Sequence, residues 1–214
     1  MLDFELIIPE GWVHIPTTPG YSRIRQRTIE AIVRHALPDT LPRDKAGPWR
    51  RMLRQELTDA TDEAERQGAR AVVLPVTEMH GMRLPGTLLL TVLEDPDGPP
   101  DPKLVLDAML ADAGPDGTAL EIGGCPAVRV RQIVDSGPIK RKAPAVRVTY
   151  YVAAPGAPGV WGVLTFTVLT DGDVDAEPVQ AIVLLFDMVV GTLRWADNVD
   201  VPTEDELLGQ LSGN

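Results

Sequence analysis

Apolar residues recur at helical spacing over Val179, Ile182, Val183, Phe186, Val189, Val190 and Leu193. Ala181, Leu184, Leu185 and Met188 widen that stripe, leaving Gln180, Asp187, Gly191 and Arg194 to face water. The pattern predicts a helix running from Glu177-Pro178 towards Trp195 and buried on most of its circumference. Pro178 sits near the first helical position, where its missing N–H costs nothing. The preceding run, Trp161–Leu169, alternates apolar residues with threonine and predicts a central strand covered on both faces. Asp171-Gly172 supplies the turn between strand and helix.

The same reading extends along the chain. Phe4–Ile8 predicts a first strand with a short continuation at Val13–Ile15. Ser22 is a candidate N-cap for a helix to about His35, with Ile29, Ile32 and Val33 on its apolar face. Gly47-Pro48 is expected to open a second helix ending at Gln67-Gly68, its apolar face marked by Trp49, Met52, Leu53, Leu57, Ala60 and Ala64. Strands follow at 71–77 and Thr87–Glu94, then a short helix opened by Asp101-Pro102. Leu120–Ile122 with Ala127–Ile133, and Val146–Ala153 with Trp161–Leu169, read as antiparallel pairs. Short connections between strands imply an α+β fold: a mostly antiparallel sheet with helices on both faces.

Length and charge refine this picture. The chain of 214 residues suits a single domain over 1–196, with a two-helix insertion at about 22–68 and an acidic, mobile tail at 197–214. Its net charge is −11, unevenly spread. Nine basic residues face three acids between Arg23 and Arg54, a net of +6, so the remainder holds 11 basic and 28 acidic residues, a net of −17. The overall sign disfavours nucleic acid, whose affinity rests on phosphate neutralisation. The basic segment suits an acidic protein partner. No stretch is long and apolar enough to predict a membrane span. One cysteine, Cys125, excludes an internal disulfide. With no basic, apolar and cleavage-site series at the start, a cytoplasmic protein is expected.

Candidate chemistry is sparse. Cys125 follows two glycines and has no neighbouring base in sequence, so it reads as a small turn residue. His14, His35 and His80 are scattered, and only Glu78-x-His80 approaches a metal-ligand fragment. No serine lies in Gly-x-Ser-x-Gly, and the glycines at 156, 159 and 162 precede a strand, where a dinucleotide fingerprint needs a helix. No cofactor is expected. The residues best suited to bind a partner are Arg23, Arg27, Arg50, Arg51 and Arg54 on the helix pair, and Lys140, Arg141 and Lys142 at a hairpin tip.

Phe4–Ile8 followed by Pro9-Glu10-Gly11-Trp12, the strand Ala127–Ile133, the pair Val146–Ala153 and Trp161–Leu169, and a final helix ending Thr192-Leu193-Arg194-Trp195 form one pattern. It resembles the PsbP-like superfamily, which also holds the nuclear Ran-release factor, LpqN-type mycobacterial lipoproteins and the Eag adaptor chaperones of type VI secretion. The resemblance implies an α/β/α sandwich that binds proteins and is rarely catalytic. It transfers no binding residue, because no functional motif matches residue by residue. The expectation is a non-enzymatic, cytoplasmic protein-binding module, most concretely an adaptor or chaperone for a secreted effector. An immunity-type inhibitor of a basic toxin and a hydrolase with a pocket around His80 or Cys125 are the alternatives. Homo-oligomerisation stays open.

Overall fold

The computed structural model describes residues 2–78, 84–98, 101–137 and 141–197, together with 206 and 209. Its elements run β1 (Leu2–Glu5), β2 (Trp12–Pro16), α1 (Ser22–Ala36), α2 (Arg43–Arg66), β3 (Ala69–Pro75), β4 (Gly86–Glu94) and α3 (Pro102–Ala113). They continue β5 (Gly117–Ile122), β6 (Cys125–Val134), β7 (Ala145–Ala153), β8 (Val160–Leu169), α4 (Glu177–Gly191) and β9 (Arg194–Asp197). This is an α+β fold in which the registered strand pairs are antiparallel. Contacts divide the chain into two compact units, one of Met1–Ile8 with Leu84–Val199, the other of Pro9–Arg83 with Asp200–Asn214.

In the first unit the strands order as β4-β8-β7-β6-β5. Register decides which residues share a face. Leu88 pairs with Phe166 and Phe166 with Val148, while Leu164 pairs with Tyr150 and Tyr150 with Arg129. These positions face α4, where Phe186 stacks on Phe166 with ring centroids 3.7 Å apart. Their odd–even complements face α3: Leu106 packs among Val128, Ala153 and Trp161, with Tyr151 and Val163 at the margin. Each face of this sheet therefore carries one helix. Asp101 caps α3, accepting a hydrogen bond from Lys103 N at 3.0 Å.

The ribbon β1–β9 closes the same face as α4. Phe4 and Trp195 are register partners and meet edge to face, 5.6 Å between centroids. They lie over Gly162, where a Cβ would come within 3.2 Å of both rings. Gly162 is thus a packing requirement of a central strand. Ile7 N donates to Thr192 Oγ1 at 2.9 Å, fixing the start of the chain to the end of α4.

In the second unit β2 pairs with β3, and Val13, Ile15 and Ile32 form a core against Leu57, Leu74 and Val76. Thr17 Oγ1 donates to Ala69 O at 2.7 Å, closing the ribbon.

Several local expectations are corrected. The opening apolar run is two strands, because Pro9 and Gly11 turn the chain and β1 pairs with β9, a strand that the apolar periodicity does not reveal. Ser22 is the first helical residue of α1 and makes no capping bond; Tyr21 holds the cap position. The second helix starts at Arg43, and Pro48 lies inside it. Trp49 and Met52 point outward, 59% and 47% exposed, while Ala46, Thr61 and Ala64 are buried. Most importantly, α4 is buried on one side only. Asp197, expected to open the acidic tail, instead ends β9 opposite Leu2, and of 198–214 only positions 206 and 209 are among the described residues. No helix among the described residues is long and apolar enough to cross a membrane.

Candidate protein-binding surfaces

The outward side of α4 carries large apolar side chains exposed among the described residues. Val179, Ile182, Val183, Phe186, Val189 and Val190 are buried. Ala181, Leu184 and Met188 recur at i, i+3 and i+7 and are exposed, with Leu184 at 60% and Met188 at 58%. Core packing accounts for six of the ten apolar residues of this helix and leaves the three exposed ones unexplained. Scattered exposed apolar residues are ordinary, whereas these three share one stripe of a single helix.

Asp187 does not face water as its sequence context suggests. It accepts from Arg129 Nε at 2.8 Å and Nη2 at 3.4 Å, and from the Tyr150 hydroxyl. Burial, reinforced by Asp187, pushes the Tyr150 phenol well above its ordinary value. Burial opposes the charge on Arg129, yet its hydrogen bonds to Asp187 and Tyr150 raise its pKa overall. This cluster rivets α4 to the sheet and so orients the exposed row.

The second candidate surface is basic and belongs to the second unit. Arg23, Arg27, Glu30 and Arg34 follow one another on one face of α1 at i, i+4, i+7 and i+11. Arg54 reaches across from α2 and forks onto Glu30, with Nη2 donating to Oε2 at 2.9 Å. That hydrogen bond, with the charges of Arg54 and Arg34, holds the Glu30 carboxyl below its ordinary value despite partial desolvation. Arg23, Arg27 and Arg34 thus share one helix face with the Glu30–Arg54 pair. Arg50 is spent within the fold. Its Nε donates to Leu37 O at 2.9 Å and its Nη2 to Pro38 O, where it meets the negative end of α1. Arg51 is exposed. Arg25 pairs with Glu65 at 2.7 Å and Asp62 at 3.5 Å, clamping the two helices together.

At the hairpin tip Arg141 donates to Thr170 O at 2.9 Å and lies 3.8 Å from Asp171, and Lys142 is exposed. Lys140 lies outside the described residues.

Cys125 is buried at the start of β6, and burial with the nearby Glu121 raises its thiol pKa, away from a reactive thiolate. Burial lowers His14 to about 4, so its ring is neutral at physiological pH. His80 lies outside the described residues. Among the described residues no group of three His, Cys, Asp or Glu side chains is placed to hold a metal ion.

Compared with known proteins, the chain matches no family model and no curated protein. Among solved structures it is similar to LpqN, involved in cell envelope biogenesis of Mycobacterium tuberculosis. The identity is 14% and the TM-score 0.45, over 92% of this chain and 85% of that one. It is also similar to a point mutant of the protein Mog1, with 15% identity and a TM-score of 0.38, over 60% of this chain and 80% of that one. A third match is the Ran-binding protein Mog1p of Saccharomyces cerevisiae, with 13% identity and a TM-score of 0.37, over 58% of this chain and 77% of that one.

Proposed function

We propose that the chain is a non-enzymatic protein-binding module that docks a partner through the exposed row Ala181, Leu184 and Met188 of α4. One observation carries this reading: a helix whose inner side seals the core presents large apolar side chains on its outer side as well. The Arg129–Asp187–Tyr150 cluster supports it, because a docking helix needs a fixed pitch against its sheet. In this reading Arg23, Arg27, Arg51 and Arg54, and at the hairpin tip Lys140, Arg141 and Lys142, add attraction for acidic segments of the partner. Arg50 supports them by holding the end of α1.

Service as an adaptor or chaperone for a secreted effector, in the cytoplasm and within the PsbP-like superfamily, is the specific form of this proposal. The order of elements recognised in the sequence supports it. The test is a photo-crosslinking residue placed at Leu184, compared with one at the exposed Asp107 of α3 in the same native host. A discrete adduct from position 184 alone is the expected result. An adduct of twice the chain mass reassigns the surface to self-association. Equal labelling from both positions, or none, overturns the reading.

A further inference from the structure

In the first unit, on the sheet face that carries α3, a cleft of about 400 Å³ opens at the end of the sheet where β7 begins and β8 finishes. Register builds it from two adjacent rows. One row is polar: Thr87 pairs with Thr167, and Thr167 with Arg147. The next is apolar: Leu169 pairs with Ala145, and Ala145 with Val134. All six residues line the cleft.

Arg147 is the unusual member. It stands in the middle of the sheet between Thr167 and Gln132, neither of which is charged. Every other described arginine of β6 and β7 has a carboxylate: Arg129 has Asp187 and Arg131 has Asp175. The acid nearest in the cleft wall, Asp135, accepts from Gly137 N at 3.0 Å and forms no ion pair with Arg147. A planar guanidinium in one row with two threonine hydroxyls, next to an apolar wall, matches a carboxylate on a short hydrocarbon body. The volume falls within the lower range of small-molecule sites.

We infer that this cleft binds an amphipathic monocarboxylate, its carboxylate on Arg147 with Thr87 and Thr167, its hydrocarbon along Val134, Ala145 and Leu169. The ligand arrives either as a free medium-chain fatty acid or as the C-terminus of an apolar peptide. The site is independent of α4, so it stands or falls separately from the docking surface proposed above.

The test is calorimetric titration of the full chain with octanoate, with octylamine as the reversed-charge control. A short apolar peptide is titrated in free-acid and amidated forms. Octanoate is expected to bind at micromolar to sub-millimolar concentration, and a parallel NMR titration to show amide shifts confined to the β4, β6, β7 and β8 residues of the cleft. Arg147→Gln is expected to weaken it at least about tenfold, a loss equal to one charge-assisted bond, and Lys142→Gln to leave it unchanged. Tighter binding of the free-acid peptide than of octanoate identifies a peptide C-terminus; the reverse identifies a fatty acid. Because Arg147 is exposed, the variant keeps its melting temperature. If that temperature falls, Thr167→Val repeats the test. Absence of octanoate and peptide binding, equal binding of octylamine, or affinity indifferent to Arg147→Gln and Thr167→Val overturns the assignment.

Discussion

Arg129 on β6 and Asp187 on α4 form a two-pronged ion pair, with Nε to Oδ1 at 2.8 Å, across the interface between sheet and helix. Tyr150 completes it from the neighbouring strand. Replacing Asp187 by Leu strands a half-buried guanidinium and a buried phenol. We expect a loss of about 2–4 kcal/mol in chemical denaturation. Asp187→Asn keeps an acceptor for Tyr150 and should cost less. The raised phenol pKa adds a pH signature. A folded-state pKa above the unfolded value of about 10 gives stability that is complete below that pH. That stability drains as pH climbs beyond it, and Tyr150→Phe should flatten the alkaline limb.

His14 gives the opposite limb. Its folded pKa of about 4 lies below the ordinary 6.5, so the unfolded chain takes up the proton first as pH falls. Stability should therefore decline between pH 6.5 and 4, by up to about 3 kcal/mol. Replacement by Gln should remove most of that slope in melts recorded across the window.

The Glu30–Arg54 fork is worth less than its geometry suggests. Both side chains are more than one-third exposed, at 36% and 39%. A double-mutant cycle with Glu30→Gln and Arg54→Met should return a coupling of about 0.5–1 kcal/mol, shrinking at high salt. The charge-swapped double variant, Glu30→Arg with Arg54→Glu, tests whether the pair or the surrounding surface matters, and should restore most of the coupling.

Gly162→Ala should cost about 1–3 kcal/mol, because the new methyl meets the Phe4 and Trp195 rings at 3.2 Å. Combining it with Phe4→Leu should recover part of the loss, which a denaturant series will show.

What is legible in the sequence follows from how each signal arises. The strand pairs of β5–β8 and the caps at Asp101 and Gly68 depend on neighbours in sequence, and local pattern finds them. Strand β9 escapes a local reading because its four residues become a strand only by pairing with β1, nearly the whole chain away. Asp187 is deceptive because a carboxylate on an apolar helix looks solvent-facing until register brings Arg129 and Tyr150 beneath it. Trp49, Met52, Leu184 and Met188 look like core because hydrophobicity does not state which side of a helix meets a sheet. The Arg-rich run is visible as charge, but the division between Arg50, spent on the end of α1, and Arg51, exposed, needs coordinates. The cleft around Arg147 is invisible, since each of its two rows is assembled across three strands.

The exposed row on α4 is the centre of the functional account, and paired Leu184→Ser and Met188→Ser substitutions test it most directly. Both sites lie outside the core, so the variant should keep its melting temperature. Measured against the partner crosslinked from position 184, its affinity should fall at least about tenfold, the weight of two apolar contacts. An unchanged affinity in a fully folded variant would contradict the account.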